Sequence, residues 1–453
     1  KSLSLIPDSN ELYYVGSVGT TTIENWTPPV ISDFEKEFEY QVTGYDAARG
    51  ELENFPVLVH IPAGRVADNS QLAFFDENGT FLPYEIDTWN ANGESLVWVL
   101  VPSFYQNVKI TLASGNEGWT APNLAHTLWR MAGYVAVLHL GEDGPEFAGS
   151  TVQNIDGLGQ LANGTDAGVA NKVAGAVGPA RLISDTAGWD KARIKVDNFE
   201  GYLDNLANMT VSLWTKHSAE LQVGDSERIF GNRSNLEDQA SGFNVSTYTG
   251  VTDTIPVLLA RGNPTLNSSA GLDKFIVVKP STGTNVSWSD TWTHLSFSFN
   301  YTPNPTIFHI GGERAAISPN GSGNAIQTTA FASILANDTP ISFGNSYDEG
   351  QTGLGFKGAI DEIRIRNGSV SDDWSFAENA TVANNLFMVS EATIAIAQTK
   401  DKYLSGLGDE VKISFDANLL GSKESLPAVV TIDWGDGTID TVEQTLSNLV
   451  SEV

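Results

Sequence analysis

Apolar and polar residues alternate in short runs along nearly the whole chain, and Gly, Asn, Asp and Pro clusters separate the runs. No long stretch shows the apolar period of an amphipathic helix, so the pattern predicts an all-β protein. Residues 1–34 are polar and irregular and read as an arm or linker. The next runs are Phe38–Thr43, Phe55–Ile61, Leu72–Phe75, Leu82–Asp87, Leu96–Val101 and Val108–Leu112, with a hairpin turn at Asp76-Glu77-Asn78-Gly79. Their close spacing predicts a small antiparallel sandwich over 35–118. A linker, Trp119-Thr-Ala-Pro122, leads to a second series over 125–390. It includes Tyr134–Leu140, Met209–Trp214, Phe275–Val278, Trp292–Phe299 and Ile307–Ile310. In Trp292–Phe299 the apolar Leu295, Phe297 and Phe299 share one face, and His294, Ser296 and Ser298 the other, as in a half-buried strand.

The segment Gly358–Arg366 carries the sharpest question. Strict alternation puts Asp361 beside Ala359, Ile363 and Ile365, with Ile360, Glu362, Arg364 and Arg366 opposite. A carboxylate on an apolar face is costly unless a cation or several donors meet it. The same alternation turns the adjacent Asp361 and Glu362 to opposite faces, which rules them out as a catalytic pair.

Length suggests more than one core, since 453 residues exceed an ordinary single domain. The net charge of −30, from 55 acidic against 25 basic residues, argues against nucleic acid or an anionic membrane as partner. It favours solubility and divalent cations. The absence of cysteine excludes disulfides, zinc–thiolate sites and cysteine nucleophiles. The apolar runs are strand length and none is long enough for a membrane-spanning helix. The start at Lys1-Ser2-Leu3 reads as a mature or trimmed beginning. Asn-x-Ser/Thr sequons recur, among them Asn208, Asn244, Asn285 and Asn300. They are either glycosylation sites or a by-product of Asn-, Ser- and Thr-rich turns.

The patterns Asn54-Phe55-Pro56-Val57-Leu58-Val59, Leu82-Pro83-Tyr84-Glu85-Ile86-Asp87 with Trp89, and Val97-Trp98-Val99 with Val101-Pro102 resemble a bacterial domain of unknown function. That domain commonly precedes laminin-G-like domains in large surface proteins, and it implies no catalytic residues. Trp292-Thr-His-Leu295, Ile341-Ser-Phe-Gly-Asn345 and Gly355-Phe-Lys-Gly-Ala-Ile-Asp-Glu-Ile-Arg-Ile365 resemble the laminin-G-like, concanavalin-A-type jelly roll. Residues 398–453, with Trp434-Gly-Asp-Gly437, resemble the first half of an Ig-like domain of the polycystic-kidney-disease type, which implies that the protein continues beyond Val453. The jelly-roll resemblance implies a structural calcium joining the first strand region to the last, at positions matching Glu142 or Asp143 and Asp361. The segment Gly149-Ser-Thr-Val-Gln-Asn154 lacks the aspartate the family shows there. The alternative for Asp361 is a set of backbone amides or a buried Arg or Trp donor.

Other chemistry is sparse. His60 and His139 lie near the ends of apolar runs and read as packing or hydrogen-bonding residues. No Gly-x-Ser-x-Gly elbow, zinc-binding His-Glu-x-x-His or phosphate loop is present. The Glu-x-Asp-x-x-Glu strand of glycoside hydrolases on this fold is also missing. Trp288, beside Ser287 and Ser289 in a loop, and Tyr248, in Ser246-Thr-Tyr-Thr-Gly250, are the candidates for stacking on a glycan, whereas Trp214 and Trp292 belong in strands and core. Asp433 and Asp436 read as an acidic turn. These readings point to a non-enzymatic extracellular or cell-surface protein for adhesion, glycan recognition or envelope architecture. Its partners would be glycans, other surface proteins or further copies of itself. A self-assembling filament subunit and a polysaccharide hydrolase are the alternatives.

Overall fold

The computed structural model describes, with side chains, residues 28–120, 123–142, 172–183, 193–196, 208–217, 227–231, 245–246, 290–298, 307–315, 341–345 and 355–383, and the backbone of further short strands. The protein is all-β, built from antiparallel sheets. The small sandwich forms from the runs read in the sequence. Leu52–Ile61, Ser95–Phe104 and Tyr84–Thr88 make a three-stranded sheet in that order. The facing sheet contains Lys36–Val42, Lys109–Ser114 and Ala73–Phe75. Its fourth strand, Phe387–Glu391, comes from far along the chain and pairs with Lys36–Val42. The last segment of the 125–390 stretch therefore returns to the 35–118 sandwich.

Two larger sheets make the jelly roll. One runs Glu146–Phe147, Gly164–Asp166, Ile194–Val196, Ser342–Phe343, Ser226–Gly231, Phe243–Tyr248, Val257–Gly262, Lys274–Val278. The other runs Asn171–Ala174, Pro179–Leu182, Gly358–Asn367, Met209–His217, Thr293–Phe299, Ile307–Ile310, Glu313–Arg314. Tyr134–Leu138 also pairs with Gly358–Asn367. Between the sheets lies a core of Ile194, Val196, Val211, Leu213, Phe230, Leu295, Phe297, Phe343, Ile360, Ile363 and Ile365.

The outer face of the second sheet is not open to water. His294, Ser296 and Ser298 are all buried, which corrects the half-buried reading of that strand. The cover consists of the small sandwich and two helices, Ala125–Met131 and Asp372–Val382. One continuous apolar cluster runs from Phe34 through Trp98 and Trp129 to Trp374 and Val382. The Asp372–Val382 helix starts at Ser371, whose hydroxyl accepts from the Trp374 amide, with Asp372 and Asp373 in its positive first turn. It buries Ser375, Glu378 and Thr381 together with Trp374 and Ala377. The polar residues among them erase the apolar stripe that would have announced a helix. The helix also covers the edge strand Leu52–Ile61, whose Leu58 amide donates to Thr381 Oγ1 at 2.7 Å.

Elsewhere, Leu12–Tyr13 pairs with Asn25–Trp26 inside the predicted arm. Pro427–Asp433 pairs antiparallel with Ile439–Thr445 in the 398–453 stretch, and Asp436 lies outside the described residues.

Candidate functional site

Two β-bulges face each other across the seam between the small sandwich and the jelly roll. In Gly358–Asn367, Asp361 pairs with Trp214 and Arg364 with Ser212, so three residue steps oppose two. Glu362 takes up the extra length with a φ of 49°, in the left-handed region. Alternation fails there. Ile360, Ile363 and Ile365 enter the jelly-roll core. Asp361, Glu362 and Arg364 face groups of the seam instead. This corrects both the side assigned to Asp361 and the claim that Asp361 and Glu362 must point apart. The bulge falls where the neighbouring edge passes from Pro179–Leu182 to Tyr134–Leu138. The second bulge is in Tyr84–Thr88, where Asp87 is the extra residue between Ile86 and Thr88.

His139 follows the Tyr134–Leu138 strand and sits between the bulges. Its Nδ1 lies 2.7 Å from Glu362 Oε1 and 3.2 Å from Asp87 Oδ2, and its Nε2 lies 3.1 Å from Glu85 Oε2. Each carboxylate is held from behind. Arg364 Nη2 donates to Glu362 Oε2, Thr88 Oγ1 donates to Asp87 Oδ1, and the Trp129 indole N–H donates to Glu85. Trp98 Nε1 lies 3.4 Å from Asp87 Oδ2. The Arg364 guanidinium stacks over Trp98, 4.2 Å from the ring centre. Burial alone would lower the His139 pKa, but Glu362 and Glu85 more than offset it and hold it well above the usual imidazole range. Burial pushes Asp87 up to about 6, with His139 opposing. Burial would also raise Glu362, but His139 and Arg364 bring it below the ordinary value.

Asp361 is compensated differently. Its Oδ2 accepts from the Ala176 and Val177 amides at 2.8 and 3.0 Å, and its Oδ1 from the Glu362 amide at 2.9 Å. Burial, then repulsion from Glu362, still pushes its pKa well up. The loop that supplies these amides approaches so closely that a Cβ on Gly175 would collide with the Asp361 carboxylate.

Behind Arg364 stands Glu378, on the second helix. Its Oε1 accepts from Ser212 Oγ and Tyr134 Oη, each at 2.9 Å, and from Arg364 Nη1 at 3.3 Å. His294 Nε2 lies 3.5 Å from Oε2. Burial would raise the Glu378 pKa, but His294, Arg364 and Tyr134 bring it down to about 2.

The residues singled out in the sequence have mixed outcomes. Asp361 is compensated by backbone amides, one of the two arrangements expected. The Glu142 carbonyl accepts from Arg181, while Asp143 lies outside the described residues. Trp288 lies outside them too, as do Asn285 and Asn300. Tyr248 ends the Phe243–Tyr248 strand opposite Val257. Asn244 is in the same strand, and Asn208 is half-buried with its carbonyl bonded to the Gly368 amide. Trp214 is in the core, and Trp292 packs against it half-buried. Glu85, Asp87, Arg364 and Glu378 were not singled out as site residues. One signal was present: Glu85 and Asp87 sit two apart in a strand, which aims both at one face. Nothing local pointed to His139 as their common partner.

The fold thus defines an all-β protein with a jelly roll fused to a smaller sandwich. No family model and no curated protein matches the chain. Solved structures of similar β architecture include domain 4 of AbnA, a GH43 extracellular arabinanase from Geobacillus stearothermophilus, in complex with arabinotriose. It is 19% identical over 47% of this chain and 86% of that one, with a TM-score of 0.31. The binding domain of Paraclostridial Mosquitocidal Protein 1 is 15% identical over 55% of this chain and 52% of that one, with a TM-score of 0.38. The binding domain of botulinum neurotoxin DC in complex with rat synaptotagmin II is 11% identical over 55% and 52%, with a TM-score of 0.36. The chain spans about half the length of these two toxin domains. No helix among the described residues is long and apolar enough to cross a membrane.

Proposed function

We propose that this chain belongs to a non-enzymatic extracellular or cell-surface protein whose jelly roll serves adhesion and glycan recognition, held in fixed orientation by the small sandwich. One observation carries the reading: the carboxylates of the closing strand are buried at the seam and bonded to groups of the protein. Asp361 is bonded to three amides, and Glu362 to His139 and Arg364. A glycosidase needs one carboxyl group free to protonate a leaving group and a second free to attack or to activate water. Asp361 and Glu362 share a side, yet both are fully buried and turned toward the seam. Their role is to lock the two β units into one body. The net charge of −30 suits a soluble display protein.

The test is glycan-array binding by the full chain, run beside a reducing-sugar assay on the polysaccharides that bind. Binding without turnover, weakened by Trp288→Ala or Tyr248→Ala, is the expected result. Sugar release that disappears in Glu362→Gln would make the protein a hydrolase. Silence across the array would overturn the adhesin reading, and concentration-dependent assembly in light scattering would then favour a filament subunit.

A further inference from the structure

His139 meets two carboxylates on Nδ1 and a third on Nε2, and even a charged ring carries only two protons for the three acceptors. When Nε2 gives its proton to Glu85 at 3.1 Å, Nδ1 is a bare lone pair facing Glu362 Oε1 and Asp87 Oδ2. Even the charged ring has one Nδ1 proton for two oxygens. Three acceptor atoms from three separate strands or strand ends then converge within 4.8 Å of one another. We propose that Asp87, His139 and Glu362 bind one divalent transition-metal ion of the zinc class at the seam, with Glu85 as the outer carboxylate that fixes the imidazole.

Two of the three ligand separations, those to His139 Nδ1, are close to those around a coordinated ion, and the third lies within 4.8 Å. Zinc–ligand bonds of about 2.0–2.1 Å at tetrahedral angles put ligand atoms about 3.3 Å apart. Nδ1 and Asp87 Oδ2 are already 3.2 Å apart, and Nδ1 and Glu362 Oε1 at 2.7 Å need to open by roughly half an ångström. The carboxylate–imidazole–metal relay requires the far ring nitrogen to donate to a carboxylate, and Glu85 occupies that position. The carboxylate ligands have outer partners as well, Arg364 on Glu362 and Thr88 on Asp87, and the outer Glu85 is itself held by Trp129. A neutral imidazole with two carboxylates also balances the charge of a divalent ion. An imidazole nitrogen among only three protein ligands suits zinc better than calcium, which takes six to eight oxygens. The site uses none of the residues of the calcium position expected at Glu142, Asp143 and Asp361.

The test uses the full chain, stripped with EDTA, titrated with zinc chloride by calorimetry and followed by thermal unfolding. The expected result is one tight equivalent of zinc per chain and a raised unfolding temperature. Glu85→Gln, which leaves all three ligands in place, should weaken zinc about 10–100-fold. Asp87→Asn keeps the side-chain shape and should abolish tight binding. X-ray absorption on the zinc-loaded protein should show a nitrogen–oxygen shell containing one imidazole. The proposal is overturned if the folded protein takes up no stoichiometric zinc. It is also overturned if uptake is unchanged in both Asp87→Asn and Glu85→Gln, or if equal calcium displaces the zinc. Should Asp87→Asn fail to fold in EDTA, Glu85→Gln and the absorption spectrum decide alone.

Discussion

Replacing Glu378 with glutamine probes whether the buried ionic hub holds the second helix to the closing strand. The native carboxylate accepts from Ser212, Tyr134 and Arg364 and lies 3.5 Å from His294. Two routes give the size of the effect. The environment lowers the Glu378 pKa from 4.5 to about 2. At about 1.4 kcal/mol per pKa unit, the folded state then favours the charged over the neutral carboxyl by about 3–4 kcal/mol. Removing one partner of a buried ion pair costs about 3–5 kcal/mol, because the other charge stays buried. Here Arg364 keeps Glu362, which places Glu378→Gln toward the lower end. Glutamine preserves the volume, so packing contributes little. Urea unfolding followed by tryptophan fluorescence should show a loss of about 3 kcal/mol with the same denaturant slope. A loss below about 1 kcal/mol would refute the hub, since that is the range of an exposed pair.

Acid should act on the same group. The folded pKa of Glu378 is depressed, so its contribution is complete above about 4.5 and is lost as pH falls through about 2. Arg364, His294, Tyr134 and Ser212 are the groups that face it. Stability measured between those pH values should fall in the native protein, and this share of the fall should vanish in Glu378→Gln. Thr381→Val keeps the helix packed but orphans the Leu58 amide on the sheet edge. Thermal unfolding should show a loss of about 1–3 kcal/mol, and no change would mean that the helix does not seal that edge.

Much of the fold was legible because strand alternation and turn residues are local. The strands Lys36–Val42, Leu52–Ile61, Ser95–Phe104 and Met209–His217 fall where the runs predicted them. The helix at Asp372–Val382 was not legible. Its buried face carries Glu378 and Thr381, which are polar because their partners are Arg364, Tyr134 and the Leu58 amide rather than apolar side chains. Likewise, the return of Phe387–Glu391 to the first sheet needs a pairing across most of the chain, which no local pattern encodes.

The sequence by itself determined that this is an acidic, cysteine-free, β-rich protein, and that Asp361 would be inside and compensated. It could not decide where Glu362 points. Alternation turns it away from Asp361, whereas a bulge turns both to one side, and a bulge is favourable only when groups elsewhere reward it. Those groups are Glu85, Asp87, His139 and Arg364, brought together by the packing of one β unit on another. The cost of burying charge is paired off across the seam, so the tertiary structure alone decides that a strand of alternating residues becomes the wall of a polar site.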